Sequence, residues 1–181
     1  MFGKFLSLFR FWFYKLRYPF ALQSERLGGF GMRCRLKIKG KLELGQQVHF
    51  GTDAYIDIQG VATLGSKGYY NDHVRIVCHQ HIEIGSNVLV ASGVSIYDHD
   101  HHVSFGENGN LNFDGYDCAP IRIGNNVWIG EKSIILKGVT IGDNVIVGAG
   151  SVVKHDIDSN WMAAGNPCRP IKPLNTSEKG G

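Results

Sequence analysis

The sequence lacks the features that mark a disulfide-stabilised, membrane-spanning or nucleic-acid-binding protein. Its four cysteines, Cys34, Cys78, Cys118 and Cys168, form no CxxC pair. We therefore expect free thiols in a reducing compartment, each acting as a small buried hydrophobic residue. No run of 18 apolar residues is present, so no membrane-spanning helix is predicted. The formal net charge of +3 is too small to indicate nucleic acid as a partner.

The first 22 residues are apolar and aromatic but are interrupted by Lys4, Arg10, Lys15 and Arg17. They lack a continuous hydrophobic region and a small-residue cleavage site, so we predict no signal peptide. Helical spacing places one set of apolar residues on a single face: Phe2, Phe5, Leu6, Phe9, Phe13 and Leu16. We therefore predict a short amphipathic helix in an arm spanning residues 1–22. It would lie on an anionic membrane surface or, alternatively, pack on the rest of the protein or on a neighbouring subunit.

The sequence does contain a repeat of six residues. From Ile123 it reads IGNNVW, IGEKSI, ILKGVT, IGDNVI, VGAGSV and VKHDID, with Ile or Val first and usually Gly second. The same register begins at Leu44, where two extra residues per three blocks lengthen the period from 18 to 20. A period of six fits neither an α-helix nor a plain amphipathic strand. It predicts an all-β parallel solenoid in which three short strands close each coil and the first residues of the blocks fill the interior. The glycines would allow a crowded or positive-φ backbone at the corners.

Two segments depart from the repeat. Residues 97–120 form a long polar insertion rich in Gly and Asn, and long loops inside compact domains are usually functional. The segment after Asp158 would close the solenoid, and residues 175–181 are typical of a flexible tail. The predicted solenoid domain therefore spans residues 23–174, with a protruding active-site loop at 97–120.

The repeats that end in VGAGSVV and continue into AAGNPCRPI resemble those of the hexapeptide-repeat acetyltransferases. The likeness runs from about Leu44 to Leu174. It is strongest to the galactoside and maltose acetyltransferases and to the sugar O-acetyltransferases of capsule and lipopolysaccharide. It implies a left-handed parallel β-helix, acetyl-CoA as the acyl donor, no metal, and a homotrimer with active sites between subunits. The expected function is acetyl transfer to a sugar hydroxyl in the biosynthesis of a surface polysaccharide. The expected location is the cytoplasm, at the inner face of the membrane.

Acyl transfer to a hydroxyl needs a base, and histidine is the natural one near neutral pH. Three histidines cluster in the DHDHH stretch at the start of the loop. The resemblance places the catalytic histidine of the galactoside and maltose acetyltransferases at His101. An alignment shifted by two residues selects His99 instead. There the adjacent carboxylate of Asp98 would fix the tautomer of the base.

The resemblance also indicates residues around the acceptor and the coenzyme. The further candidates for the acceptor and acetyl pocket are Trp128, His102 and Tyr97. Trp128 would wall the pocket or stack on the sugar; alternatively, it is a surface aromatic residue packed under the loop. The candidates for binding coenzyme A are Glu131, Gly148, Ala149, Lys154, Arg169 and Lys172. We expect an oxyanion-binding backbone amide near Glu131, close approach of the ligand at the two small residues, and phosphate contacts from the cations.

Other functions are compatible with the same sequence. Transfer to the amine of an amino sugar would need the same kind of base. Transfer of an acyl group longer than acetyl is a separate alternative. Zinc carbonic anhydrases share the solenoid fold, and here the candidate ligands would be His79, His81, His99, His101 and His102. Their spacing does not resemble that family. A scaffold with a vestigial site is the non-enzymatic alternative.

Overall fold

The computed structural model of the 181-residue chain describes residues 2–24 and 28–175, with side chains from Leu6 onward. In this part of the chain one helix, α1 (Phe2–Arg17), precedes a parallel β-helix from which a hairpin projects. This architecture confirms the predicted fold class. The flexible tail predicted for residues 175–181 lies, beyond Asn175, outside the described residues.

Each coil contributes one short strand to each of three parallel sheets, A, B and C in chain order. The coils before the hairpin consist of β1 (Leu22–Ser24), β2 (Gly29–Phe30) and β3 (Arg35–Ile38); β4 (Lys41–Leu44), β5 (His49–Phe50) and β6 (Tyr55–Ile58); β7 (Val61–Leu64), β8 (Tyr69–Tyr70) and β9 (Arg75–Cys78); and β10 (His81–Ile84), β11 (Leu89–Val90) and β12 (Ser95–Tyr97). The hairpin is β13 (His99–Phe105) and β14 (Leu111–Cys118). The coils after it consist of β15 (Ile121–Ile123), β16 (Trp128–Ile129) and β17 (Ile134–Ile135), and of β18 (Thr140–Ile141), β19 (Ile146–Val147) and β20 (Val152–Val153). An antiparallel pair, β21 (Trp161–Ala164) and β22 (Arg169–Pro173), extends sheet B at the C-terminal end.

The pairing of strands confirms the period of the repeat. Leu44 pairs with Leu64, 20 residues later, and Ile123 pairs with Ile141, 18 residues later. The solenoid also begins one coil earlier than the repeat predicts, because Leu22 pairs with Leu42 in β4. The sequence hides this first coil because Ser24 occupies the position that an aliphatic residue holds in later coils.

The interior of sheet B begins with a stack of aromatic rings. Phe30 and Phe50 have ring centroids 5.3 Å apart, and Phe50 and Tyr70 have centroids 4.9 Å apart. Phe11 of α1 extends the stack, with its ring 5.8 Å from that of Phe30. The helix therefore covers the N-terminal end of the solenoid and keeps the first aromatic residues out of water.

The corners of the solenoid correct one detail of the prediction. Glycine at the second position of a block is required by crowding, since a Cβ on Gly65 would lie 2.6 Å from the backbone of Gly85. Positive φ falls mainly on other residues, including Asn87, Asn126 and Asn144. Asparagine tolerates this region, and the side-chain amide of Asn87 donates to Asn126 Oδ1 across 2.9 Å. The amide of Asn126 donates in turn to Asn144.

The cysteines agree with the prediction at three positions. All four are free; Cys34, Cys78 and Cys168 are buried, whereas Cys118 is exposed on β14. Expecting a buried residue at Cys118 was therefore wrong, because the hairpin that carries it leaves the core. Burial raises the pKa of the Cys34 thiol to about 12, which makes this thiol inert at neutral pH.

Helix α1 packs on the first coil through a face different from the one predicted to be apolar. Phe11 is buried, and the Tyr14 hydroxyl donates to the carbonyl of Cys34 across 2.7 Å. The predicted face points outward, with Phe9, Phe13 and Leu16 exposed by 66%, 58% and 79%. The side chains of Phe2 and Phe5 lie outside the described residues. No helix in the described ranges is long and apolar enough to cross a membrane.

Candidate active site

The insertion predicted as a polar loop is an antiparallel β-hairpin that leaves the solenoid between sheets C and A. His101 on β13 lies directly opposite Tyr116 on β14. The root of the hairpin is fastened to the following coil by Lys137. The Lys137 ammonium lies 3.2 Å from a carboxylate oxygen of Asp100 and donates to the carbonyl of Asp117 across 3.2 Å. The hairpin therefore holds its histidines at a defined edge of the solenoid.

Asp98 fastens the other side of the root to the preceding coil. Its side chain is completely buried, and its carboxylate accepts hydrogen bonds from the backbone N–H groups of His79, Gln80 and His81 at 2.8, 2.8 and 2.9 Å. The carbonyl of Asp98 accepts a further bond from the N–H of Ala119, where the hairpin returns. The Asp98 carboxylate thus provides the acceptors for three successive backbone N–H groups in one turn.

His99 is held against this root and is largely covered by its own chain. Its Nδ1 lies 3.3 Å from Asp98 Oδ1, and its side chain is 13% exposed. The ring stacks on that of His79 with centroids 3.9 Å apart. Tyr97 and Tyr116 meet the His99 ring edge-on at 6.1 and 5.2 Å. Burial, and to a smaller extent the neighbouring His99, lowers the pKa of His79, which favours the neutral form of this ring.

His101 is exposed, and its ring is bounded only by other rings. Its centroid lies 5.0 Å from that of Tyr116 and 5.9 Å from that of Phe113. Within residues 28–175 the exposed His101 ring makes no hydrogen bond or ion pair, so its nitrogens are left for a ligand. His102 differs, because its Nδ1 lies 3.1 Å from a carboxylate oxygen of Asp117.

A second candidate feature lies at the edge of sheet C opposite the hairpin, where the chain passes from sheet B into sheet C. Glu131, Lys132, Ala149 and Gly150 line a shallow groove of 350 Å³. Gly150 has a φ of 68° and open space where a Cβ would stand. In the described chain, the backbone N–H groups of Glu131 and Ala149 reach no acceptor. They therefore provide two hydrogen-bond donors at the groove.

The other residues predicted to bind coenzyme A are spread more widely. Gly148 adjoins the groove but serves close packing, since a Cβ there would lie 2.7 Å from that of Ala164 on β21. Arg169 pairs with Ala164 and so lies at the same end of sheet B, with Lys172 further along β22. Lys154 follows β20 at the edge of sheet C that carries the hairpin, away from the groove.

The exposed histidine and the groove are separated within one chain. Glu131 precedes β17 and Lys137, which anchors the hairpin, follows it, so the groove and the root of the hairpin lie at opposite edges of sheet C. Trp128 belongs to the groove side. It is exposed on the outer surface of sheet B, paired with Leu89 and Ile146, and not packed under the hairpin.

A metal site gains no support from the geometry. Across residues 2–24 and 28–175, no three His, Cys, Asp or Glu side chains are grouped to hold an ion. Of the histidines considered as zinc ligands, His79 and His99 stack face to face, and His81 lies 4.0 Å from Glu83.

Known proteins show the same repeat. Residues 120–155 match the family model described as bacterial transferase hexapeptide (six repeats). The WbbJ protein of Escherichia coli K12, which is named as a lipopolysaccharide biosynthesis O-acetyl transferase, is 32% identical over 154 residues, covering 81% of this chain and 79% of WbbJ. The chain belongs to the hexapeptide-repeat acetyltransferases.

Other members of this family are similar over different lengths. Galactoside O-acetyltransferase of Escherichia coli K12 is 44% identical over 118 residues, covering 64% of this chain. The chain spans only 56% of that enzyme. The solved maltose O-acetyltransferase of Clostridium difficile 630 is 32% identical, with a TM-score of 0.57, covering 88% of this chain and 73% of that one. Galactoside acetyltransferase in complex with coenzyme A is 31% identical, with a TM-score of 0.53, covering 85% of this chain and 66% of that one.

Proposed function

We propose that the protein transfers an acetyl group from acetyl-CoA to a hydroxyl of a sugar, with His101 as the general base. The observation that carries this proposal is the exposed ring of His101 at the root of a projecting hairpin, whose nitrogens have no hydrogen-bond partner among the described residues. A base must reach a substrate proton within hydrogen-bonding distance. The ring of His99, 13% exposed and held at Asp98, is less able to do so. The related galactoside acetyltransferase, solved with coenzyme A, supports the donor.

The reaction follows from these groups. A ring nitrogen of His101 accepts the proton of the acceptor hydroxyl while the hydroxyl oxygen bonds to the thioester carbonyl carbon. The carbonyl oxygen becomes an oxyanion, which the free N–H groups of Glu131 and Ala149 are suited to stabilise. The carbon–sulfur bond then breaks, the thiolate takes the proton back from His101, and an acetyl ester is released.

The separation of base and groove supports a site shared between subunits. Because the groove and the root of the hairpin lie at opposite edges of sheet C on one chain, His101 of one subunit would serve the groove of its neighbour in a homotrimer. Exposed apolar side chains on the hairpin, including Val103, Leu111 and Phe113, provide surface for such a contact. Light scattering should show a trimer, and a fully active monomer would contradict the shared site.

The acceptor that we propose is a sugar of a surface polysaccharide, such as lipopolysaccharide or capsule. Its support is the similarity to WbbJ over most of both chains. The test is release of coenzyme A thiol from acetyl-CoA by the purified protein, with nucleotide sugars, free sugars, amino sugars and polysaccharide fragments as acceptors. We expect release that depends on a hydroxyl acceptor and exceeds hydrolysis without acceptor. Absence of release with every acceptor, together with no coenzyme A binding by calorimetry, would refute the proposal. Release with amino sugars alone would indicate N-acetylation.

We also propose that the outer face of α1 rests on an anionic membrane at the cytoplasmic side. Phe9, Phe13 and Leu16 present an apolar surface, and Lys15 and Arg17 lie in the last turn of the helix. Aromatic residues flanked by cations suit the interface of an anionic bilayer. A lipid-linked acceptor would be reached from this position.

Cosedimentation with vesicles tests the membrane contact. The protein should bind phosphatidylglycerol-containing vesicles more tightly than phosphatidylcholine vesicles. The double variant Phe9→Ser/Phe13→Ser should bind at least about 10-fold more weakly, because it loses two aromatic side chains that would be buried in the bilayer interface. The control is Ile171→Ser, an equally exposed apolar residue at the other end of the solenoid. Equal binding by both variants, or no binding by the native chain, would refute the contact.

A further inference from the structure

Tyr116 lies at the centre of a cluster of rings that joins the solenoid to the hairpin. Its ring centroid is 4.1 Å from that of His79, 5.2 Å from that of His99 and 5.0 Å from that of His101. His79 belongs to the preceding coil, whereas Tyr116 lies on the return strand of the hairpin. The Tyr116 ring therefore lies between two rings, those of His79 and His99, on one side and the exposed ring of His101 on the other.

The His79–His99 pair, on one side of Tyr116, is held in place by several contacts. His99 is held by the buried carboxylate of Asp98 and stacks on His79 at 3.9 Å. His79 meets Tyr116 at 64°, a T-shaped contact of the kind that aromatic pairs prefer. Burial lowers the pKa of His79, which favours its neutral form in this stack. The position of the Tyr116 ring is thus set by the solenoid rather than by the hairpin alone.

On the other side of Tyr116 lies His101, and the contact between the two rings limits the orientation of His101. In the described structure no hydrogen bond fixes the His101 ring, and its ring contacts are with Tyr116 and Phe113. A displacement of a reacting group by about 1 Å is enough to slow a reaction 10²-fold. Where no polar partner orients a base, a packed ring is what limits its rotamers.

We propose that Tyr116 is a positioning residue for His101, held in place by the His79–His99 stack. This inference rests on the proposed function, in which His101 is the base. The role uses the ring of Tyr116 and not its hydroxyl, and it needs no contact between Tyr116 and substrate.

The test compares variants of Tyr116 in the acetyl-transfer assay. Tyr116→Ala should lower kcat by about 10- to 100-fold and leave the KM for acetyl-CoA within about twofold, because the misplaced base affects chemistry rather than binding. Tyr116→Phe, which keeps the ring, should retain nearly full kcat. Phe20→Ala, which removes an exposed ring next to the N-terminal helix and outside the hairpin, should behave as the native protein. If Tyr116→Ala fails to fold by thermal unfolding, Tyr116→Leu takes its place with the same expectation.

A double-mutant cycle separates positioning from a general structural effect. When His101 is already alanine, Tyr116→Ala should lower the residual rate no further, since there is no base left to position. An equal loss in both backgrounds, or native kcat for Tyr116→Ala, would overturn the positioning role and leave the proposed function intact. Native kcat for His101→Ala would instead overturn the base assignment.

Discussion

Replacement of His101 by alanine should reduce kcat by about 10²- to 10⁴-fold, the range in which loss of a general base falls. The ring of His101 is exposed, and its nitrogens have no partner in the part of the chain that the structure describes, so it is suited to take a proton from a bound hydroxyl. The KM for acetyl-CoA should change little, because the base takes the proton of the acceptor and does not hold the donor. Steady-state kinetics at saturating acceptor measure both quantities.

Two matched histidine variants make this result interpretable. His99→Ala should cost less than His101→Ala, because His99 supports the ring cluster and is mostly covered by its own chain. His81→Ala should leave kcat unchanged, since its side chain lies near Glu83 and outside the ring cluster. If His99→Ala abolishes turnover while His101→Ala does not, the roles of the two histidines are reversed.

The solenoid was predictable because every block repeats the same contacts. An aliphatic residue every six positions fills the interior in register, as the pairing of Leu44 with Leu64 shows. The predicted domain starts at residue 23, but the repeat pattern itself begins only at Leu44, because Ser24 interrupts it in the first coil. The face of α1 that packs on the solenoid was also not predictable, since apolar residues surround the helix. The stacking of Phe11 on the ring of Phe30 determines which face of the helix packs on the solenoid.

The candidate site could be located from the sequence but not resolved. The DHDHH stretch marked the region, yet the burial of His99 depends on His79, twenty residues earlier, and on Tyr116, across the hairpin. The hairpin itself left a weak signal: apolar residues on both sides of the turn-forming segment 106–110. The separation of His101 from Glu131 follows from the closure of the coil, which no local spacing records.

Asp98→Ala should lower the free energy of unfolding by about 3 kcal/mol or more, because three buried backbone donors lose their acceptor at about 1–3 kcal/mol each. The substitution leaves the N–H groups of His79, Gln80 and His81 without their acceptor in a place that water does not reach. Asp98→Asn should cost less, because one oxygen remains to accept while the amide nitrogen faces a donor. Urea unfolding followed by circular dichroism gives the difference, provided that the transition is two-state.

Asp100→Ala is the control for this stability loss. Asp100 lies two residues further along the same stretch, but it is exposed and its ion pair with Lys137 is at the surface. Exposed pairs contribute at most about 1 kcal/mol, so this variant should unfold close to the native protein. Equal midpoints for Asp98→Ala and Asp100→Ala would mean that the buried carboxylate does not hold the hairpin root. A much lower midpoint for Asp98→Ala would show that the Asp98 side chain anchors the hairpin. The same carboxylate lies next to His99 Nδ1, so Asp98 would then support the ring cluster as well.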